Sequence, residues 1–156
     1  MNISLHKHQQ GVGLIEVLVA LVVLSTALMA LALLQARSLQ FNHASYLESQ
    51  SNVYAYDILE RIRVSTLNNT ALLDSYKDDN LTSTAKTSIS DATAKADVES
   101  WRLNSIKNLP GGSAKIACSS LTRRCDISIT WSDLSGVLDP KTNIIPTITF
   151  PYSATL

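Results

Sequence analysis

The sequence predicts an α+β chain in which one long amino-terminal helix packs on a small antiparallel sheet, with a second helix beside it. Three observations carry this. Between Val12 and Leu34 nearly every residue is apolar, and neither Gly nor Pro occurs from Leu14 to Leu109, so nothing there interrupts a helix. The stretch Ser88 to Leu109 has helical spacing and runs into Pro110-Gly111-Gly112, a helix stop. From Ala114 onward the pattern changes to apolar and polar residues in alternation, the period of half-buried strands.

A helix over Val12 to Leu34 would be about 35 Å long, enough to cross a bilayer core of about 30 Å. Glu16 is the one ionisable side chain in that run. A carboxylate at the centre of a membrane helix costs about 2.5 to 3.5 kcal/mol on insertion scales, and less near an end. Glu16 therefore either snorkels to the headgroups or has a partner, and the residues alone leave both open. The preceding Met1 to Gly11 carries Lys7 between His6 and His8 and fits a cytoplasmic flank. An ordinary secretory signal has an apolar core of about 7 to 15 residues. This run is longer and holds a charge, which argues against plain secretion.

From Gln35 to about Val64 the helix continues but turns amphipathic. Leu47, Tyr54, Ile58, Leu59 and Ile62 recur at helical spacing while Glu48, Asp57, Glu60, Arg61 and Arg63 fill other faces. One continuous helix from Val12 to about Ser65 is expected. Thr66 to Thr87 is polar and reads as a surface loop. Its Asp78-Asp79-Asn80 offers oxygen ligands but lacks the spacing, Gly and terminal Glu of a calcium loop. In the second helix, Ser90 or Asp91 caps the start, Ile89, Ala92, Ala96, Leu103 and Ile106 form the apolar side, and Trp101 packs on the long helix. Cys125 to Trp131 places Ile127, Ile129 and Trp131 on one strand face, and Lys115 to Cys118 forms the other arm of a hairpin around Ser119 to Arg124. Ile144 to Tyr152, with Pro146 and Pro151, reads as an edge strand.

Formal charge is balanced, with 13 basic and 13 acidic residues, which gives no electrostatic ground for a nucleic-acid or polyanionic partner. Cys118 and Cys125 flank the hairpin loop, and export would make a disulfide their expected state. Redox or metal roles are the alternatives. The spacing is not that of a C-x-x-C pair, and His6, His8 and His43 all lie far upstream. No metal and no cofactor are expected. The absence of histidine from the second half, of a Gly-rich phosphate loop and of a nucleophile elbow argues against a membrane-anchored enzyme. Arg123 and Arg124 in the hairpin loop read as a solvated tip or a contact for an anionic partner.

Gly11-Val12-Gly13-Leu14-Ile15-Glu16-Val17 followed by the apolar helix resembles the class III signal of type IV prepilins and type II secretion pseudopilins. In that family a membrane peptidase cuts after the glycine and methylates the new amino terminus. The resemblance implies cleavage after Gly11, methylation of Val12, and a register role for Glu16, whose buried carboxylate would pair with a neighbouring subunit's amino terminus. Val12 departs from the usual Phe or Met, and Gly13 from the commoner Thr or Ser. It implies a type IV pilin-like fold, with residues 1–11 a cleaved leader, 12–36 a transmembrane and filament-core helix, and 37–156 a periplasmic head that includes the second half of the long helix.

Three later stretches narrow the resemblance: Ala55 to Arg63, Glu99-Ser100-Trp101 ahead of Leu109-Pro110-Gly111-Gly112, and Ile127 to Asp133. In this order they look like the PilV type of minor pilin, which is similar to the pseudopilin I of type II secretion. What this implies is a non-enzymatic subunit, anchored in the inner membrane with its amino terminus cytoplasmic and later carried on the surface pilus. Its implied partners are prepilin peptidase, other minor pilins and the major pilin. It would join a tip complex that primes pilus assembly and supports twitching motility, adhesion and DNA uptake. The alternative is a minor pseudopilin of a type II secretion apparatus.

Overall fold

The structure, a computed structural model, describes residues 13–82, 84, 87–133 and 145–156. Two helices and four strands are ordered α1 (Leu14–Thr66), β1 (Lys77–Thr82), α2 (Ala92–Asn104), β2 (Ser113–Ser119), β3 (Arg124–Ser132) and β4 (Thr147–Thr155). Short 3-10 turns occupy Thr70–Ser75 and Ile106–Asn108. This is the α+β, pilin-like architecture expected from the sequence. The chain divides into two compact units, Met1–Leu39 and Gln40–Leu156, and α1 runs through the boundary.

In the first unit every described side chain is exposed, Leu and Val included. An apolar helix with no buried face has no folding partner within its own unit, so its stability requires a lipid or protein surround. It is long and apolar enough to cross a membrane. Its two hydroxyls bond within the helix: Ser25 donates to the Leu21 carbonyl at 2.7 Å and Thr26 to the Val23 carbonyl at 2.9 Å. That removes the cost of carrying unpaired hydroxyls into an apolar surround.

The second unit is built on a four-stranded antiparallel sheet in the order β1-β2-β3-β4. Alternation sends Ala114, Ile116 and Cys118 of β2 and Cys125, Ile127, Ile129 and Trp131 of β3 into the core, where Ile116 faces Ile127 and Ala114 faces Ile129. The edge strand β4 adds half-buried Ile148, Phe150, Tyr152 and Ala154. Onto this face α1 packs Leu47, Ser51, Ala55, Ile58, Leu59, Ile62 and Thr66. The small residues Ser51 and Ala55, both fully buried, sit at the four-residue spacing that continues the stripe.

Two expectations are corrected. The polar stretch after α1 contains a strand: β1 buries Asp78 and Leu81 and pairs with β2 through an irregular register between them. Its inward positions include a carboxylate, which hides the alternation from an apolar pattern. The second helix starts at Ala92 and buries Ala94, Val98, Trp101 and Arg102, whereas Ala92, Ala96 and Leu103 face solvent. Asp91 is its cap and accepts from the amides of Thr93 and Ala94 at 2.9 Å.

The Leu109-Pro110-Gly111-Gly112 turn joins α2 to the sheet. Gly111 has φ of +60°, and a Cβ on Gly112 would lie 2.2 Å from the Ile106 carbonyl oxygen. The Ser132 amide closes the turn onto β3 by donating to the Pro110 carbonyl at 2.9 Å. Two of the stretches singled out in the sequence therefore meet in space.

Candidate functional site

Glu16 stands in the first turn of α1, exposed, with its amide donating to the Gly13 carbonyl at 2.8 Å. A carboxylate there faces the positive end of the helix dipole. It remains the one ionisable group of the apolar stretch from Leu14 to Leu34. Gly11 and Val12, with His6, Lys7 and His8, lie outside the described residues.

In the head, Cys118 and Cys125 are joined by a disulfide and stand directly opposite each other in the β2–β3 ladder. The loop they close is braced from outside. Asp74 accepts from both the amide of Ser120, at 2.8 Å, and its hydroxyl, at 2.5 Å, and these bonds hold its carboxyl below the ordinary range. The Leu156 amide donates to the Arg123 carbonyl at 2.7 Å, and Arg123 adopts φ of +51°. Arg124 bonds Asp126 at 3.0 Å, and Asp126 also accepts from the Ser153 hydroxyl. The Ser153 bond and then Arg124 lower the Asp126 carboxyl. Of the two loop arginines, Arg124 is therefore already paired within the head.

A side-chain hub that sequence reasoning missed sits between the helices. Asp97 of α2 accepts from Ser65 of α1 at 2.7 Å and from the Tyr76 phenol at 2.6 Å. Burial, and then the Asp97 carboxylate, push the Tyr76 phenol well above its usual range, so it stays a donor. Only a charged residue at a half-buried helical position hinted at it. Asp78 is a buried carboxylate and accepts from the Thr87 hydroxyl at 2.7 Å, the Ser88 amide at 2.8 Å and the Asn80 amide at 3.0 Å. Burial alone would raise it, but these bonds outweigh burial and lower it. Asp78 is thus a structural pin for the segment after β1 and not an open calcium ligand. Arg102, 4% exposed, bonds Glu99 and reaches the Thr82 carbonyl at 3.1 Å, fixing α2 against the end of β1.

Trp101 is fully buried, with its indole donating to the Tyr54 carbonyl at 2.9 Å, which makes it a packing residue on the long helix. Among the described residues no group of three or more His, Cys, Asp or Glu is placed to hold a metal ion. A groove of about 470 Å³ on the outer sheet face includes Lys115, Arg124, Asp126, Ser128, Pro151 and Ser153 in its lining. Arg124, Asp126 and Ser153 satisfy one another there, since Asp126 accepts from both of the others.

Residues 6–32 match the family described as the prokaryotic N-terminal methylation motif. Together with the long apolar helix and the pilin-like head, the motif supports a type IV pilin or pseudopilin. The prepilin signal implies processing by prepilin peptidase and interactions within the pilin family. Comparison with curated proteins found no match. Comparison with solved structures found none either.

Proposed function

We propose that the chain is a minor pilin of a type IV pilus. Residues 1–11 form a leader cut after Gly11, Val12 becomes the methylated first residue, residues 12–36 occupy the inner membrane and then the filament core, and residues 37–156 form a periplasmic head. The mature subunit joins other minor pilins in a tip complex that primes assembly, and so supports twitching motility, adhesion and DNA uptake. Its role is structural and not catalytic.

One observation carries the reading: a methylation motif covers an exposed apolar helix whose sole ionisable group up to Leu34 is Glu16. An unpaired carboxylate in an apolar bundle is costly, and pairing it with a neighbour's new amino terminus relieves that cost only in correct register. Intact-mass measurement of the membrane-extracted protein tests the processing. A chain beginning at monomethylated Val12 is expected, and one that keeps Met1 to Gly11 overturns the reading. Glu16→Val is expected to be processed normally yet fail to enter filaments, and unchanged incorporation sinks the register role. Disruption of the gene separates the machines, because loss of twitching fits a pilus and loss of exoprotein release fits a secretion pseudopilus.

A further inference from the structure

The last strand, β4, lies at one edge of the sheet, and among the described residues nothing pairs with its far side. Two bonds fix which of its main-chain groups point there. The Asp133 amide donates to the Pro146 carbonyl and the Leu156 amide to the Arg123 carbonyl, one bond at each end of an unbroken register with β3. Antiparallel ladders alternate, so Ile148, Phe150, Tyr152 and Ala154 bond β3 as well. Thr147, Thr149, Pro151, Ser153 and Thr155 therefore turn their main-chain groups outward, and Pro151, which has no N–H, stands at the middle of that row.

Apart from Pro151, the strand is suited to pair with itself. No charged side chain occurs from Thr147 to Thr155, so the usual guard of an edge strand is missing. Most of its residues are β-branched or aromatic. Two copies laid antiparallel about Pro151 would set Thr149 opposite Ser153 and Thr147 opposite Thr155, with their outward groups facing. On the inner side the same register sets Phe150 opposite Tyr152 and Ile148 opposite Ala154, four side chains that the head leaves only partly buried.

At the centre of that register Pro151 meets Pro151. Any other residue would exchange two N–H···O bonds with its counterpart there. Proline supplies neither donor, and its ring fills the space where the bonds would form. The opposite edge is guarded differently: β1 carries the exposed Lys77 and Asp79, and its register with β2 breaks between Asp78 and Leu81.

We propose that Pro151 guards the β4 edge, closing it to the β4 strand of a second copy and so keeping the head a single four-stranded sheet. The inference rests on the strand register and does not depend on the pilin reading.

The test uses the full chain in detergent, with amide exchange read residue by residue and association read by density-matched sedimentation. In the native chain the outward amides of Thr149 and Ser153 are expected to exchange freely while those of Phe150 and Tyr152 are protected. Pro151→Thr should associate as concentration rises, with its Thr149 and Ser153 amides slowed about tenfold or more. Pro151→Ala restores the same N–H and should do likewise. Association through the apolar helix alone leaves those two amides unchanged. Thr149→Pro combined with Pro151→Thr moves the missing donor along the same row and should return the native behaviour. Slow exchange of Thr149 and Ser153 in the native chain overturns the proposal, because the edge is then already covered. It is equally overturned if both single variants keep these amides free at every concentration, or if slowed exchange persists when the proline is moved.

Discussion

The indole of Trp101 donates its hydrogen bond to the backbone carbonyl of Tyr54, 2.9 Å away, and so ties α2 to the head-packed part of α1. The ring itself is fully buried among the sheet and helix side chains of the core. Trp101→Phe keeps most of that burial and loses the bond, so a cost of about 1 kcal/mol is expected. Trp101→Ala also leaves a cavity and should cost about 3 to 5 kcal/mol. Urea unfolding of the detergent-solubilised chain, followed by near-ultraviolet circular dichroism, separates the two. Equal losses would show that the bond, and not the packing, dominates.

Acid should weaken the head through Asp78. Its folded carboxyl titrates below the ordinary carboxylate value, because three donors outweigh burial. The stabilisation is therefore present above the unfolded value of about 4 and is lost as pH falls through the lower folded value. Asp78→Asn should flatten the fall in stability between about pH 5 and pH 3 relative to the native chain. Denaturant midpoints across that range measure it. An unchanged slope would assign acid sensitivity elsewhere.

Removing the disulfide should lower stability without unfolding the head. The chain-entropy model gives about 2.5 kcal/mol for so short a loop. The register of Ile116 with Ile127 and the Asp74 bonds to Ser120 remain to hold the hairpin. Cys118→Ala with Cys125→Ala avoids burying new hydroxyls. A lower melting temperature with native circular dichroism is expected, and complete loss of the folded signal would contradict this.

The two adjacent glycines should respond unequally. Gly112→Ala forces backbone movement against the Ile106 carbonyl and should cost on the order of 2 to 4 kcal/mol. Gly111→Ala imposes left-handed strain of about 1 to 2 kcal/mol, and its nearest contact, the Ser132 hydroxyl 2.6 Å away, can rotate aside. Melting temperatures of both variants check the order, and a reversed order would overturn the steric account.

The sequence by itself determined what depends on local period and local chain chemistry. The long helix, the β2–β3 hairpin with its cysteines face to face and a cap at Ser90 or Asp91 could be read because each repeats or terminates within a few residues, whereas the second helix ends at Asn104, short of the Pro-Gly-Gly expected to stop it. Glu16 was visible for the same reason, as a single charge in an apolar run. What only the tertiary structure decided involves polar groups inside the core. Whether Asp78 lies in a strand or a loop depends on Thr87 and Ser88 arriving to satisfy it. Which side of α2 turns inward depends on Asp97 meeting Ser65 and Tyr76, and on Arg102 reaching Thr82. A buried charge is costly until partners distant in the chain supply its bonds, so local apolar patterning cannot announce it.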